Sequence, residues 1–306
     1  MRLISFRTPD GDRIGAGVDG EVVDLTTACA ALLADRGEAD AEARAAETLP
    51  PDMEAFLAGG EEAMAAAAEA IEFASDRDDL RVRRDEIRLL PPVPRPPKVI
   101  CVARNYAEHA AEANLPTLEY PNLFIRFPRS LIADGEPVQV PKVSEQADWE
   151  AELAVVIGRP GKHVSRDDAL DHVAGYSAFN DVSIRDWQLR VKQFGAGKNF
   201  DASGPFGPEL VTRDEVGDPG KLKIELEVNG ETMQSSSTGN MIFDVPTLVE
   251  HVSQFATLEP GDVIATGTPS GVGHFREPPV YLKPGDTVRV VIEKVGVLEN
   301  PVVAEG

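Results

Sequence analysis

The chain has 306 residues, of which 27% are charged and 42% hydrophobic, and it carries a formal net charge of −22. That composition belongs to a folded globular protein and excludes a disordered or collagen-like chain. The acidity also argues against a nucleic-acid binder, which needs clustered Lys and Arg, and against an anionic membrane surface.

No apolar run approaches the ~20 residues that span a bilayer. The start, MRLISFRTPDGD, lacks the apolar core of a secretory signal. Two cysteines, Cys29 and Cys101, lie far apart and make no disulfide framework. A reduced, cytoplasmic protein is therefore expected. The acidity is spread along the chain, and both salt adaptation and an ordinary acidic enzyme fit it.

The first 25 residues read as short strands, RLISF, RIGAGV and EVVDL, joined at TPDGD and at Asp19-Gly20. Residues 26–75 turn Ala-rich and helical, and Gly59-Gly60 splits them into two pieces. LLPPVPRPPK, 89–98, carries five prolines and reads as a stiff polyproline spacer. A domain boundary is expected there, with a small α+β domain over 1–95 and a mostly β domain over 96–306. In the second part, runs such as ELAVVIG, KIELEV, DVIATG and TVRVVIE read as strands, and PGDV and PGDT as turns before strands. Short helices are predicted near 105–113, 165–173 and 245–256.

Four segments could carry chemistry. In ADWEAELAVVIGR, 147–159, strand alternation puts Asp148, Glu150, Glu152 and Ala154 on one face. Two carboxylates ~7 Å apart on a buried strand repel each other and lose hydration, and a divalent cation relieves both problems. Asp181 in FNDVSIRD is the natural third ligand, and an all-oxygen set favours Mg²⁺ or Mn²⁺. An edge strand with a solvated Glu face fits the same pattern equally well. In CVARNYAEHAAE, 101–112, His109 and Glu112 are spaced to share a helix face, as a general-base pair or as an ordinary surface pair. Lys198 in FGAGKNFD could hold an anion or be a solvated loop lysine. A phosphate loop is rejected, because position 192 is Lys and Asn199 stands where Ser or Thr is needed. In DVIATGTPSGVG, 262–273, Gly267 and its neighbours could bring backbone N–H groups to an oxyanion, or simply make a turn. The spacing around Ser270 is not that of a nucleophile elbow.

Taken in order, RNYAEHAAE, DWEAELAVVIG, NDVSIRDWQ, GKNFD and TGTPSGVG resemble the fumarylacetoacetate hydrolase family over about residues 97–296. The RNYxxHAxE form resembles the acylpyruvase and hydroxymuconate-isomerase branch. The resemblance implies an α+β, mostly β fold: a mixed β-roll or sandwich catalytic domain behind a small N-terminal α+β domain, assembled as a homodimer. It implies one divalent cation, Mg²⁺ or Mn²⁺, on Glu150, Glu152 and Asp181. It further implies His109 with Glu112 as acid/base dyad and Lys198 for oxyanionic charge. Arg104, Tyr106, Arg185, Gln188, Gly267 and Thr268 are expected at the substrate, and 112–130 is expected to include a mobile lid.

The activity so implied is hydrolytic cleavage of a 2,4-dioxo acid, an acylpyruvate such as fumarylpyruvate, to pyruvate and a second acid. The same parts also allow isomerisation of a hydroxymuconate or decarboxylation of oxaloacetate. A non-catalytic anion-binding relative is the reading from another class, and the intact set of residues weighs against it. Glu150→Ala or Asp181→Ala is expected to abolish metal binding with the fold intact.

Overall fold

The computed structural model describes residues 1–18, 20–112 and 116–306. Asp19 of the proposed hairpin turn and residues 113–115 of the proposed lid lie outside the described residues.

The chain opens with β1 (Arg2–Thr8), β2 (Gly11–Val18) and β3 (Glu21–Asp24), then α1 (Leu25–Asp35), α2 (Ala41–Thr48), α3 (Met53–Ala58) and α4 (Gly60–Ala74). Two short strands, β4 (Arg81–Arg83) and β5 (Arg88–Leu90), lead to β6 (Val99–Ala103), α5 (Ala107–Glu112) and β7 (Asn122–Arg126). There follow β8 (Leu131–Ile132), β9 (Val138–Val140), β10 (Ala147–Asp148), β11 (Ala151–Ile157), β12 (Val173–Asn180) and β13 (Ser183–Ile184). Next come α6 (Arg185–Gln188), α7 (Gly195–Lys198), β14 (Gly204–Thr212), α8 (Arg213–Val216), β15 (Lys223–Val228) and β16 (Glu231–Ser237). The chain ends with α9 (Val245–Phe255), β17 (Val263–Ala265), β18 (Thr287–Ile292) and β19 (Gly296–Ala304).

One large mixed sheet runs β4-β3-β2-β1-β14-β12-β11-β17-β6-β7. A second sheet runs β16-β15-β18-β19-β9. β11 sits in the middle of the large sheet, between β12 and β17. Its alternation serves two cores. Leu153, Val155 and Ile157 join the residues of β15 and β18, while Ala154 and Val156 join the core under α1, α3 and α4. A strand covered on both faces needs apolar residues on both, which explains the unbroken ELAVVI. It also removes the solvated-edge reading of this segment.

The proline-rich stretch does not separate two cores. β1 pairs antiparallel with β14, Arg2 opposite Val211, so the N-terminal strands extend the same sheet. The core under α4 runs from Leu3 to Ala265. α4 presents Ala63, Ala67, Ala70 and Ala74 inward, at helical spacing, and such small side chains let the helix lie close.

The two PGD turns are alike in construction. Gly261 and Gly285 take positive φ of 86° and 97°. Asp262 and Asp286 each accept from the backbone N–H three residues earlier, at 2.8 and 2.9 Å. Each turn then enters a strand. The expected helix at 165–173 is only a 3-10 turn, Ala169–His172. Within the segment expected to include a lid, 122–126 is β7, paired along β6 from Val99–Arg126 to Ala103–Asn122.

α9 matches expectation, and its start is built by Asp244, whose carboxylate accepts from the Thr247 N–H at 3.0 Å. Arg166 also binds Asp244, at 2.7 Å. The hydrogen bond from Arg166 is the main reason the Asp244 carboxyl is held down at about 2, against the lifting effect of its partial burial. A depressed carboxylate stabilises the fold above its ordinary value and loses that contribution as pH falls through the folded value. Asp244→Ala should therefore cost about 1 kcal/mol at neutral pH, the usual worth of such a cap. The gap from wild type should close between about pH 4 and pH 2 in denaturant melts.

Candidate active site

The site forms where β6, β12 and β17 end and β11 begins. β11 and β12 pair with Ala151 opposite Asn180, so Glu150 and Asp181 face each other just beyond the paired residues. The Asp181 N–H donates to the Glu150 carbonyl at 2.9 Å, and the Glu150 N–H donates to Asn180 Oδ1 at 3.0 Å. Glu152, two residues into β11, lies on the same side. Glu150, Glu152 and Asp181 are all buried and offer carboxylate oxygens within 4.8 Å of one another.

Three cations steady this group. Lys198 Nζ donates to Glu150 Oε2 at 2.8 Å and to Asp181 Oδ2 at 2.5 Å. Arg185 Nη1 lies 2.8 Å from Glu150 Oε1. Arg126 Nη1 donates to Asp181 Oδ1 at 2.5 Å. Lys198 is 2% exposed and ends the short α7, so it is not the solvated loop lysine its sequence also allowed. Burial would lift the Glu150 carboxyl, but Lys198 and Arg185 outweigh it and hold it at about 2. Burial would lower the Lys198 ammonium, and Asp181 and Glu150 more than compensate, so it is raised. Glu152 goes the other way: burial, then the charges of Asp181 and Glu150, push its carboxyl well above the usual range.

Among the described residues, Glu152 accepts only one hydrogen bond, from the Gly267 N–H at 2.9 Å. A buried carboxylate with free lone pairs, facing two others, is a donor set short of positive charge. Its all-oxygen chemistry fits a hard divalent cation such as Mg²⁺ or Mn²⁺.

The dyad closes the other side. His109 is 7% exposed, and its Nδ1 lies 3.3 Å from Glu112 Oε2. Glu112 is itself fixed by the Gly271 N–H, at 3.0 Å. With Nδ1–H directed at a carboxylate, Nε2 is the basic nitrogen. Asn105, fully buried, ties the loop before α5 to its surroundings. Its side chain donates to the carbonyls of Phe243 and Thr266, at 2.8 and 2.7 Å, and accepts from the Phe243 N–H. Gly267 must be glycine, since a Cβ there would sit 2.8 Å from the Val102 carbonyl at φ +94°.

A cavity of about 100 Å³ joins these parts. His109, Glu150, Glu152, Lys198, Arg104, Arg185, Gln188 and Thr268 all line it. Tyr106, expected at the substrate, does not: it is fully buried, its hydroxyl has no partner among the described residues, and it bridges to Met241. Gly267 acts through its N–H on Glu152. Asp181 stands behind the wall with its two cations.

Several residues were not proposed as site residues from the sequence. Arg126 and Asp148 are buried charges, the latter accepting from Arg185 Nε at 2.8 Å and from the Gly273 N–H at 2.7 Å. Phe124, Phe194, Leu189 and Phe275 supply an apolar wall, and His274 is the second imidazole in the cavity.

A buried carboxylate triad that could hold a divalent cation lies beside a His–Glu pair, on a mixed sheet with a second sheet packed on it. Residues 98–303 match the fumarylacetoacetate hydrolase C-terminal family, and the chain belongs to that family. It is 45% identical to the mitochondrial oxaloacetate tautomerase FAHD2A of Homo sapiens, over 99% of this chain and 92% of that protein. A fumarylacetoacetate hydrolase from Exiguobacterium antarcticum matches at 38% identity and a TM-score of 0.80, covering all of both chains. A maleylpyruvate hydrolase from Sphingobium sp. SYK-6, in complex with manganese(II) and pyruvate, matches at 32% identity and TM-score 0.76, again over all of both chains. No helix among the described residues is long and apolar enough to cross a membrane.

Proposed function

We infer that this chain is a metal-dependent tautomerase of oxaloacetate or a closely similar 2-oxo dicarboxylic acid. The supporting observation is the dyad: His109 is the one imidazole braced by a carboxylate in a cavity of about 100 Å³, walled by phenylalanines. Keto–enol exchange needs one proton carrier and no attacking water. Hydrolysis of an acylpyruvate, the first expectation from sequence, also needs a water placed at C4. The tautomerase activity named for the human relative, at 45% identity over nearly the whole chain, supports the same choice.

Glu150, Glu152 and Asp181 would hold the cation, which when bound polarises the 2-oxo group and the adjoining carboxylate. His109 Nε2 takes the enol proton from O2 and returns a proton to C3. The reverse order makes the enol. Glu112 fixes the imidazole ring and stabilises its charged form between the two transfers. Thr268 and the Gly267 loop hold the acid end. Phe124, Phe194 and Phe275 keep water from C3. Lys198, Arg185 and Arg126 fix the carboxylates, so the site needs no rearrangement during the transfer.

The test follows decay of enol absorbance of oxaloacetate, with Mn²⁺ and then with EDTA, and products by mass. Metal-dependent decay with unchanged mass is the expected result. Release of pyruvate and a second acid from fumarylpyruvate, without enol decay, would establish the hydrolase instead. Carbon dioxide in step with decay would mark a decarboxylase.

A further inference from the structure

His274 lines the cavity and has no part in the dyad or the carboxylate group. It is held from two sides. Its backbone N–H donates to Asp148 Oδ2 at 2.9 Å, the same oxygen that accepts from Arg185 Nε at 2.8 Å. Its ring packs edge-on against Phe275 at 5.1 Å, and its Nδ1 lies 2.9 Å from the Tyr281 hydroxyl. Nδ1 is thus engaged, and among the described residues nothing bonds to Nε2. A tyrosine hydroxyl that donates to Nδ1 leaves the proton of a neutral imidazole on Nε2. Burial, and then Arg185, lower the His274 ring below its ordinary value, which keeps it neutral at pH 7.

Arg185 supplies the second half. Its Nε and Nη1 are taken by Asp148, Glu150 and Gln188, but among the described residues its buried Nη2 has no partner. A buried, unpaired guanidinium N–H costs stability unless a ligand takes it. Two side chains tied to the same aspartate, each with an N–H unbonded among the described residues, line one cavity and offer donors to a second anionic group.

We propose that His274 is a specificity-determining residue, donating from Nε2 to the distal carboxylate of a dicarboxylic substrate beside Arg185 Nη2. This rests on the tautomerase reading and names what would set its substrate class: a short 2-oxo acid with a second carboxylate, in preference to one with an apolar end. Tyr281 is the positioning residue, fixing which imidazole nitrogen carries the proton.

The experiment measures binding, by calorimetry on the Mn²⁺-loaded full chain, of two unreactive anions. Oxalate reaches only the metal end; malate also carries a distal carboxylate. His274→Leu should weaken malate about tenfold, the worth of a hydrogen bond to a charged group, with oxalate within about twofold. Tyr281→Phe should move malate the same way by less, and His274→Gln, which keeps an N–H, should recover most of the loss. Equal losses for both anions, or no loss of malate while wild type binds both, overturn the role of His274 alone. Wild type that binds neither anion overturns the tautomerase reading and this subsite with it.

Discussion

His109→Asn should lower kcat for enol–keto exchange by about 10²–10⁴-fold, the usual contribution of a positioned acid/base. Metal affinity should hardly change, because His109 is not one of the three carboxylates that converge. Asparagine fits the helix and cannot carry a proton between O2 and C3. Glu112→Gln should cost less, about 10–100-fold, as for other residues that orient a catalytic partner. The amide can still accept from the Gly271 N–H, which the carboxylate meets at 3.0 Å, so the loop stays in place. What it loses is the negative charge 3.3 Å from Nδ1 that favours the imidazolium. The measurement is stopped-flow enol decay alongside Mn²⁺ titration. A His109→Asn variant that keeps its rate would remove His109 from the mechanism.

The second large effect separates the three carboxylates from one another. Glu152→Gln should abolish metal binding and leave the metal-free fold as stable as wild type, or more so. Glutamine keeps the acceptor for the Gly267 N–H and relieves the repulsion from Asp181 and Glu150 that pushes the Glu152 carboxyl up. Asp181→Ala should also abolish metal binding but destabilise the fold by about 3–5 kcal/mol, the cost of leaving buried charges unpaired. The sequence reading expected that variant to fold normally. The structure gives the reason to expect a cost instead: Asp181 is fully buried and pairs with both Lys198 and Arg126, which are themselves buried. The readout is thermal melting with and without Mn²⁺. Wild type should gain stability with free metal as RT ln(1 + [L]/Kd), and neither variant should. A Glu152→Gln protein that still melts higher with Mn²⁺ would refute the ligand set.

Much of the site was legible in the chain because it is local. Period-two alternation put Glu152 on the side of Ala154, and the structure keeps it there. The three-residue spacing of His109 and Glu112 placed both on one face of α5. The prolines and glycines of the PGD turns announced β17 and β18. These follow from backbone geometry over a few residues, which the sequence carries without help from the rest of the fold.

What the tertiary structure decided are the meetings between distant segments. Alternation could not say whether β11 was an edge or a centre; pairing with β12 and β17 put it in the middle and buried its glutamates. The proline-rich stretch looks like a boundary because its stiffness is local, yet β1 joins β14 across some 200 residues to make one sheet. Arg126 and His274 carry no local signature, since a charge becomes part of a site only when the partner that offsets its burial arrives from elsewhere. Composition, turns and spacing therefore indicated which chemically capable side chains lie near one another along the chain. Burial and long-range pairing decided which charges face each other, because those meetings depend on strands far apart in sequence.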